Sequence, residues 1–169
     1  MQIIFLVALG LLIISVATVG INRNDDSYQR ESAAAAAHMS VYHTAAVTMC
    51  KTVACGTGVV NPTAYMNNLI RTGPLFSRGY FQTNYDAPSK TLVTYMKAGY
   101  ALRGSVNFGT VNAALRDLQG EHSTSFGKWD RAAGRVVPSY MSGWAVTYQP
   151  PAGIRSILPD GAPVIVGRL

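Results

Sequence analysis

The residues of this chain that could do chemistry are few, and their spacing does not assemble a reactive site. His38 and His43 are five residues apart, so on one helix they would not share a face as metal ligands do. His122 stands near two serines without the strand–turn–helix motif that presents a nucleophile. Apart from the adjacent Asp25 and Asp26 the acidic residues are dispersed, and none forms a pair at a spacing suited to acid–base catalysis. The sequence therefore predicts no enzyme, no metal site and no cofactor.

Glycine-rich and basic segments also lack the patterns that bind phosphate or nucleic acid. Gly56-Thr57-Gly58 has no lysine of a phosphate-binding loop, and helix capping accounts for the segment 104–109. The net charge is +6, but the basic residues are scattered from Lys51 to Arg168 without runs or interleaved aromatics. We therefore predict no nucleic-acid partner and no small-molecule substrate.

Cys50 and Cys55 are the two cysteines of the chain. Their Cys-x4-Cys spacing differs from the two-residue gap of zinc ribbons and thioredoxin-like motifs. Gly56 and Gly58 follow at once, so the chain can leave a helix here and close a small loop. In an oxidising compartment we expect a disulfide between the two cysteines. The alternative is a pair of buried free thiols.

The N-terminal segment is the strongest topological signal. Residues 3–21 carry no charge and are mostly Ile, Leu, Val, Ala and Phe, which is long enough for a helix to cross a bilayer. An uncleaved single-pass anchor fits best, because Met1-Gln2 offers no basic start. Two alternatives are a signal peptide cleaved after Ala17 and a pilin-like leader cleaved after Gly10, although Ser15 stands where such a leader needs glutamate.

The orientation of this anchor rests on two opposed signals. Arg23 and Arg30 follow the segment and weakly favour a cytoplasmic C-terminal side. The cysteines and the uncharged polar character of the remainder favour the outside, since only 13% of the residues are charged. We predict a single-pass protein of the bacterial inner membrane with its C-terminal domain in the periplasm.

Residues 22–56 form a polar junction and an alanine-rich helix. Glu31 through Met49 has helical character, and the five alanines at 33–37 are the strongest helix formers. An apolar stripe recurs on one face at helical spacing; its members are Ala35, Met39, Tyr42, Ala46 and Met49. The stripe is either an interface with another protein or the face that packs on the chain's own domain.

Residues 57–169 predict a small domain of helices and antiparallel strands. We expect a helix from Asn61-Pro62 to about Gly73, a hairpin over 79–96 and a helix over 106–118. Later strands are expected at 123–129, 135–137, 144–148 and 163–166. The predicted fold class is α+β, in which a transmembrane helix (1–21) is continued by an amphipathic helix and then by this domain.

The chain resembles the small PilM-type proteins encoded with the thin, type IVB pili of conjugative plasmids. The resemblance rests on the length of 169 residues, the leading Ile/Leu/Val segment, the alanine-rich helix and the uncharged polar remainder. It implies an inner-membrane component of pilus assembly or of the basal apparatus, acting through contacts with other pilus-assembly or secretion proteins. The alternatives are a minor pilin-like subunit of the fibre and an exported cell-envelope binding protein.

Overall fold

The computed structural model describes residues 29–66, 79–98, 107–119, 126–138 and 148–169. The first described element is a helix, α1, over residues 29–52, which confirms the helix expected at Glu31–Met49. Within the described ranges no helix has both the length and the apolar character needed to cross a membrane. The predicted anchor at residues 1–21 lies outside the described residues.

Within the described residues, six strands form one antiparallel sheet. Their bounds are β1 Gly58–Val60, β2 Phe81–Asp86, β3 Thr91–Met96, β4 Phe126–Asp130, β5 Arg135–Val137 and β6 Pro163–Arg168. The order across the sheet is β1-β2-β3-β6-β4-β5, so β6, the last described strand, pairs with β3 on one side and β4 on the other. The prediction of an α+β fold with an antiparallel sheet is confirmed.

The remaining described elements are short apart from one helix. A 3-10 turn covers Thr63–Tyr65, helix α2 covers Phe108–Gln119 and helix α3 covers Ala152–Arg155. Asn107 immediately precedes helix α2, and its side-chain oxygen accepts hydrogen bonds from the N–H groups of Gly109 and Thr110 at 2.8 and 3.1 Å. This capping satisfies backbone donors that a helix start would otherwise leave unpaired.

Successive side chains of a strand point to opposite sides of the sheet, so both faces carry apolar side chains. Each face is covered by other parts of the chain. On one face, which we call the helical face, α1 and α2 bury Ala35, Met39, Val111 and Leu115 against strand residues such as Ile165. We call the other side of the sheet the opposite face. There Ile154 of α3 and Leu158 after it pack with strand side chains in one cluster, whose members are Val93, Tyr95, Trp129, Val136, Ile154, Leu158 and Val164. Every residue of β3 is buried, since that strand is central and covered on both sides.

The hairpin expected over 79–96 is confirmed as β2 and β3, and the expected strands at 135–137 and 163–166 are confirmed as β5 and β6. The helix expected from Asn61 is a 3-10 turn in its described part, where the Asn61 side chain accepts a hydrogen bond from the N–H of Thr63. The rest of that prediction, residues 67–73, lies outside the described residues. Of the strand expected at 144–148, the described part is Tyr148, which bridges Val136.

Candidate functional site

The disulfide expected between Cys50 and Cys55 is confirmed. The two Cα atoms are 5.1 Å apart, and the bond joins the last turn of α1 to the segment that leads into β1. Both cysteines pack against a buried cluster, which contains Ala46, Val60, Tyr85 and Leu92. Since β1 has only three residues, this covalent closure fixes the position of a strand that its ladder with β2 would hold weakly.

A pocket of about 320 Å³ lies beside β1. Its described lining is aromatic and polar: Tyr42, Val59, Val60, Asn61, Thr63, Met66, Gly79, Tyr80, Phe81, Gln82 and Lys97. The rings of Tyr42 and Phe81 are 6.2 Å apart at an angle of 44°, which joins α1 to β2 at this point. Among these described lining residues Lys97 is the one basic or acidic side chain, so the pocket has a mixed aromatic and polar lining with one cationic side chain.

Three large apolar side chains are exposed in the same stretch of chain. Val53 is 50% exposed, Val59 is 69% exposed and Tyr65 is 40% exposed. β1 is the terminal strand of the sheet, and in the described part of the chain its outer edge pairs with no other strand. We call this stretch, residues 53–65 with the adjoining pocket, the β1 surface. Exposed apolar side chains beside an open strand edge are typical of a protein-contact site.

The predicted stripe on α1 lies mostly inside the protein. Ala35, Met39 and Ala46 are fully buried, while Tyr42 and Met49 are half-buried. The small alanines let the helix approach the sheet closely, so most of this face packs on the chain's own strands. Of the two readings left open by the sequence, the structure shows packing on the chain's own domain. Tyr42 alone of the five also lines the pocket.

A buried polar chain runs between α1 and the centre of the sheet. His43 Nδ1 is 2.9 Å from Thr94 Oγ1 and hydrogen-bonded to it, and Thr94 Oγ1 is 2.6 Å from Thr83 Oγ1. His43 is 9% exposed, and both threonines are fully buried. Burial disfavours the charged imidazolium and lowers the pKa of His43 from 6.5 to about 4. The side chain is therefore neutral at pH 7.

Sequence reasoning considered His43 only as a metal ligand and missed this role. The signal was present, because His43 lies four residues after Met39 and three before Ala46, which places it in the same helical stripe. Burial also lowers the pKa of His38, which stands five residues earlier. The described residues contain no group of three or more histidines, cysteines or carboxylates placed to hold a metal ion. His122 lies outside them.

No protein-family model, curated protein or solved structure matches this chain.

Proposed function

We propose that this protein is a membrane-anchored component of a type IVB pilus assembly or basal apparatus and acts through protein–protein contacts. The β1 surface is the contact site in this proposal. The observation that carries it is the exposure of Val53, Val59 and Tyr65 at the disulfide-closed end of α1. Apolar side chains exposed in water cost free energy that a bound partner would recover, at roughly 25 cal/mol per Å² buried.

Two further features support an envelope location. A disulfide forms and persists in oxidising compartments such as the periplasm. The uncharged run of residues 3–21 precedes the domain and has the length of a bilayer-spanning helix. Together they support a periplasmic domain held at the inner membrane, where its partners would be other pilus-assembly or secretion proteins.

The test is site-specific photocrosslinking in cells that assemble the pilus. A photoreactive residue at Val59 or Tyr65 is expected to give crosslinks to a pilus-assembly or secretion protein. Leu118 and Ile157 are the matched controls, because they are 53% and 45% exposed but lie on α2 and after α3. Equal crosslinking at all four positions, or no pilus or secretion component among the products, would contradict the proposal.

One observation favours a second candidate, a minor pilin-like subunit of the fibre. Such a subunit needs a long N-terminal helix backed by a sheet, and here α1 packs on an antiparallel sheet through Ala35, Met39 and Ala46. The two functions are separated by the mass of the mature protein and by its location. Cleavage after Gly10 and recovery in sheared pili favour the subunit, whereas an intact Met1 in the membrane fraction favours the anchored assembly component.

A further inference from the structure

His43 occupies the centre of the contact between α1 and the sheet. It is bonded through Nδ1 to Thr94 of β3, which is bonded in turn to Thr83 of β2. Apolar contacts lie on either side along the helix: Met39 belongs to the cluster with Met96 and Ile165, and Ala46 to the cluster with Tyr85 and Leu92. The polar chain thus interrupts an otherwise apolar helix–sheet interface.

The imidazole also lies close to β6. A Cβ atom added at Gly167 would be 2.6 Å from His43 Nε2 and 3.4 Å from a methyl carbon of Val47. Glycine at this position therefore leaves the space that the imidazole fills. With Thr94 on one side and Gly167 on another, the ring is only 9% exposed, so most of the hydration that a charged imidazolium needs is excluded.

No side-chain carboxylate faces His43 from the described residues of β2, β3 or β6, and desolvation by burial is the cause that lowers the pKa of His43. The side chains that point to the helical face near it are Leu92 and Met96 from β3, Ile165 from β6, and Thr83 and Tyr85 from β2. On α1 the neighbouring titratable groups are His38 and Tyr42, neither of them acidic enough to be an anion in this pH range. Arg168 of β6 is exposed and, one residue after Gly167, points to the opposite face. A proton on His43 would therefore be buried without a counter-charge.

We propose that His43 is an acid-sensitive latch between α1 and the sheet, and that its protonation releases the helix while the opposite face stays packed. The direction follows from linkage. Burial holds the pKa of His43 at about 4, against 6.5 when the ring is in water. Between these two pH values His43 is protonated in the released state but neutral in the packed state, so release is favoured as pH falls. The released fraction is expected to rise roughly 100-fold between pH 7 and pH 4.

The test is NMR of the full chain in detergent micelles between pH 7 and pH 4, with carbon-13 in the methionine methyl groups and nitrogen-15 in the tryptophan indoles. Met39 on α1 reports the helix, and the indole of Trp129 on the opposite face reports the sheet. We expect the Met39 methyl signal to move toward its unstructured position as pH falls, while the Trp129 signal keeps its native shift. The Met39 signal should return to its native position when the pH is brought back to 7.

His43→Gln is the decisive variant, because its amide can bond Thr94 but takes up no proton. Met39 should then keep its native signal across the same range, whereas the control His38→Gln should behave as the parent protein. A single transition shared by Met39 and Trp129, or the same acid response in His43→Gln, overturns the latch. If His43→Gln does not fold, the imidazole signal of the parent protein decides: titration of His43 without movement of Met39 also overturns it.

Discussion

The helical face of the sheet contains a histidine and two threonines among its apolar side chains, whereas the opposite face is built around Trp129, Val164 and Leu158. Polar groups also occur on the opposite face, where Asn84 Nδ2 donates to Tyr95 Oη at 3.4 Å. Neither of these gains a proton in acid, since burial raises the pKa of Tyr95 above 10. Two faces of one sheet that are both well buried thus differ in their dependence on pH.

The size of that difference follows from the pKa of His43. Its value in the folded protein, about 4, is lower than the unfolded value of 6.5. The unfolded chain therefore binds more protons between these pH values, and the unfolding free energy falls as pH falls from 6.5 toward 4. The loss is about 3 kcal/mol, a large part of the stability of an ordinary domain. The described residues of the cluster on the opposite face include no histidine.

The largest expected effect is the truncation of Leu158 to alanine. Leu158 is fully buried in the cluster of the opposite face, so Leu158→Ala removes apolar contacts and leaves a cavity that costs about 3 kcal/mol. The matched control is Ile157→Ala. Ile157 is the neighbour of Leu158 in the chain but is 45% exposed, so its truncation should lower the unfolding free energy by less than about 1 kcal/mol. Urea unfolding at pH 7 and pH 5 measures both.

The effect of Leu158→Ala at two pH values tests whether the two faces of the sheet are independent. Leu158→Ala should lower the unfolding free energy equally at the two pH values, because the cavity lies on the opposite face and His43 keeps its environment. A loss that differs between pH 7 and pH 5 by more than the error of the extrapolation would show that the two faces are coupled.

Sequence patterns predicted the elements whose residues show a local periodicity or a strand-forming composition. The 3.6-residue period of α1 and α2, the loose alternation of β2 and the strand-forming residues of β3 are all visible in the sequence. β1 was missed because a three-residue strand depends on its partner and on the disulfide for its position. The pocket was also missed, since it is formed by residues from α1, β1, β2 and Lys97, which only the fold brings together.

Removal of the disulfide is expected to have an intermediate effect, confined to the β1 end of the helical face. Replacing Cys50 and Cys55 with serine frees a closed loop with a sequence separation of 5, which the chain-entropy model values at about 2 kcal/mol. The parent protein treated with a reductant should lose the same amount, measured by urea unfolding. The serine variant should show no response to reductant, and a response would mean that the loss has another origin.

The last predictions concern the two threonines, of which Thr83 should show the smallest effect, and their ranking tests the polar chain of the helical face. Thr94 bonds both His43 and Thr83, so Thr94→Val leaves two buried polar groups without this partner and should cost about 2 kcal/mol at pH 7. Thr83→Val breaks only the outer bond and should cost about 1 kcal/mol. The double variant should lose less unfolding free energy than the sum of the two single variants, because the second substitution removes a group that is already unpaired. Additive losses would mean that the two threonines contribute independently, and the helical face would then owe its acid sensitivity to the burial of His43 alone.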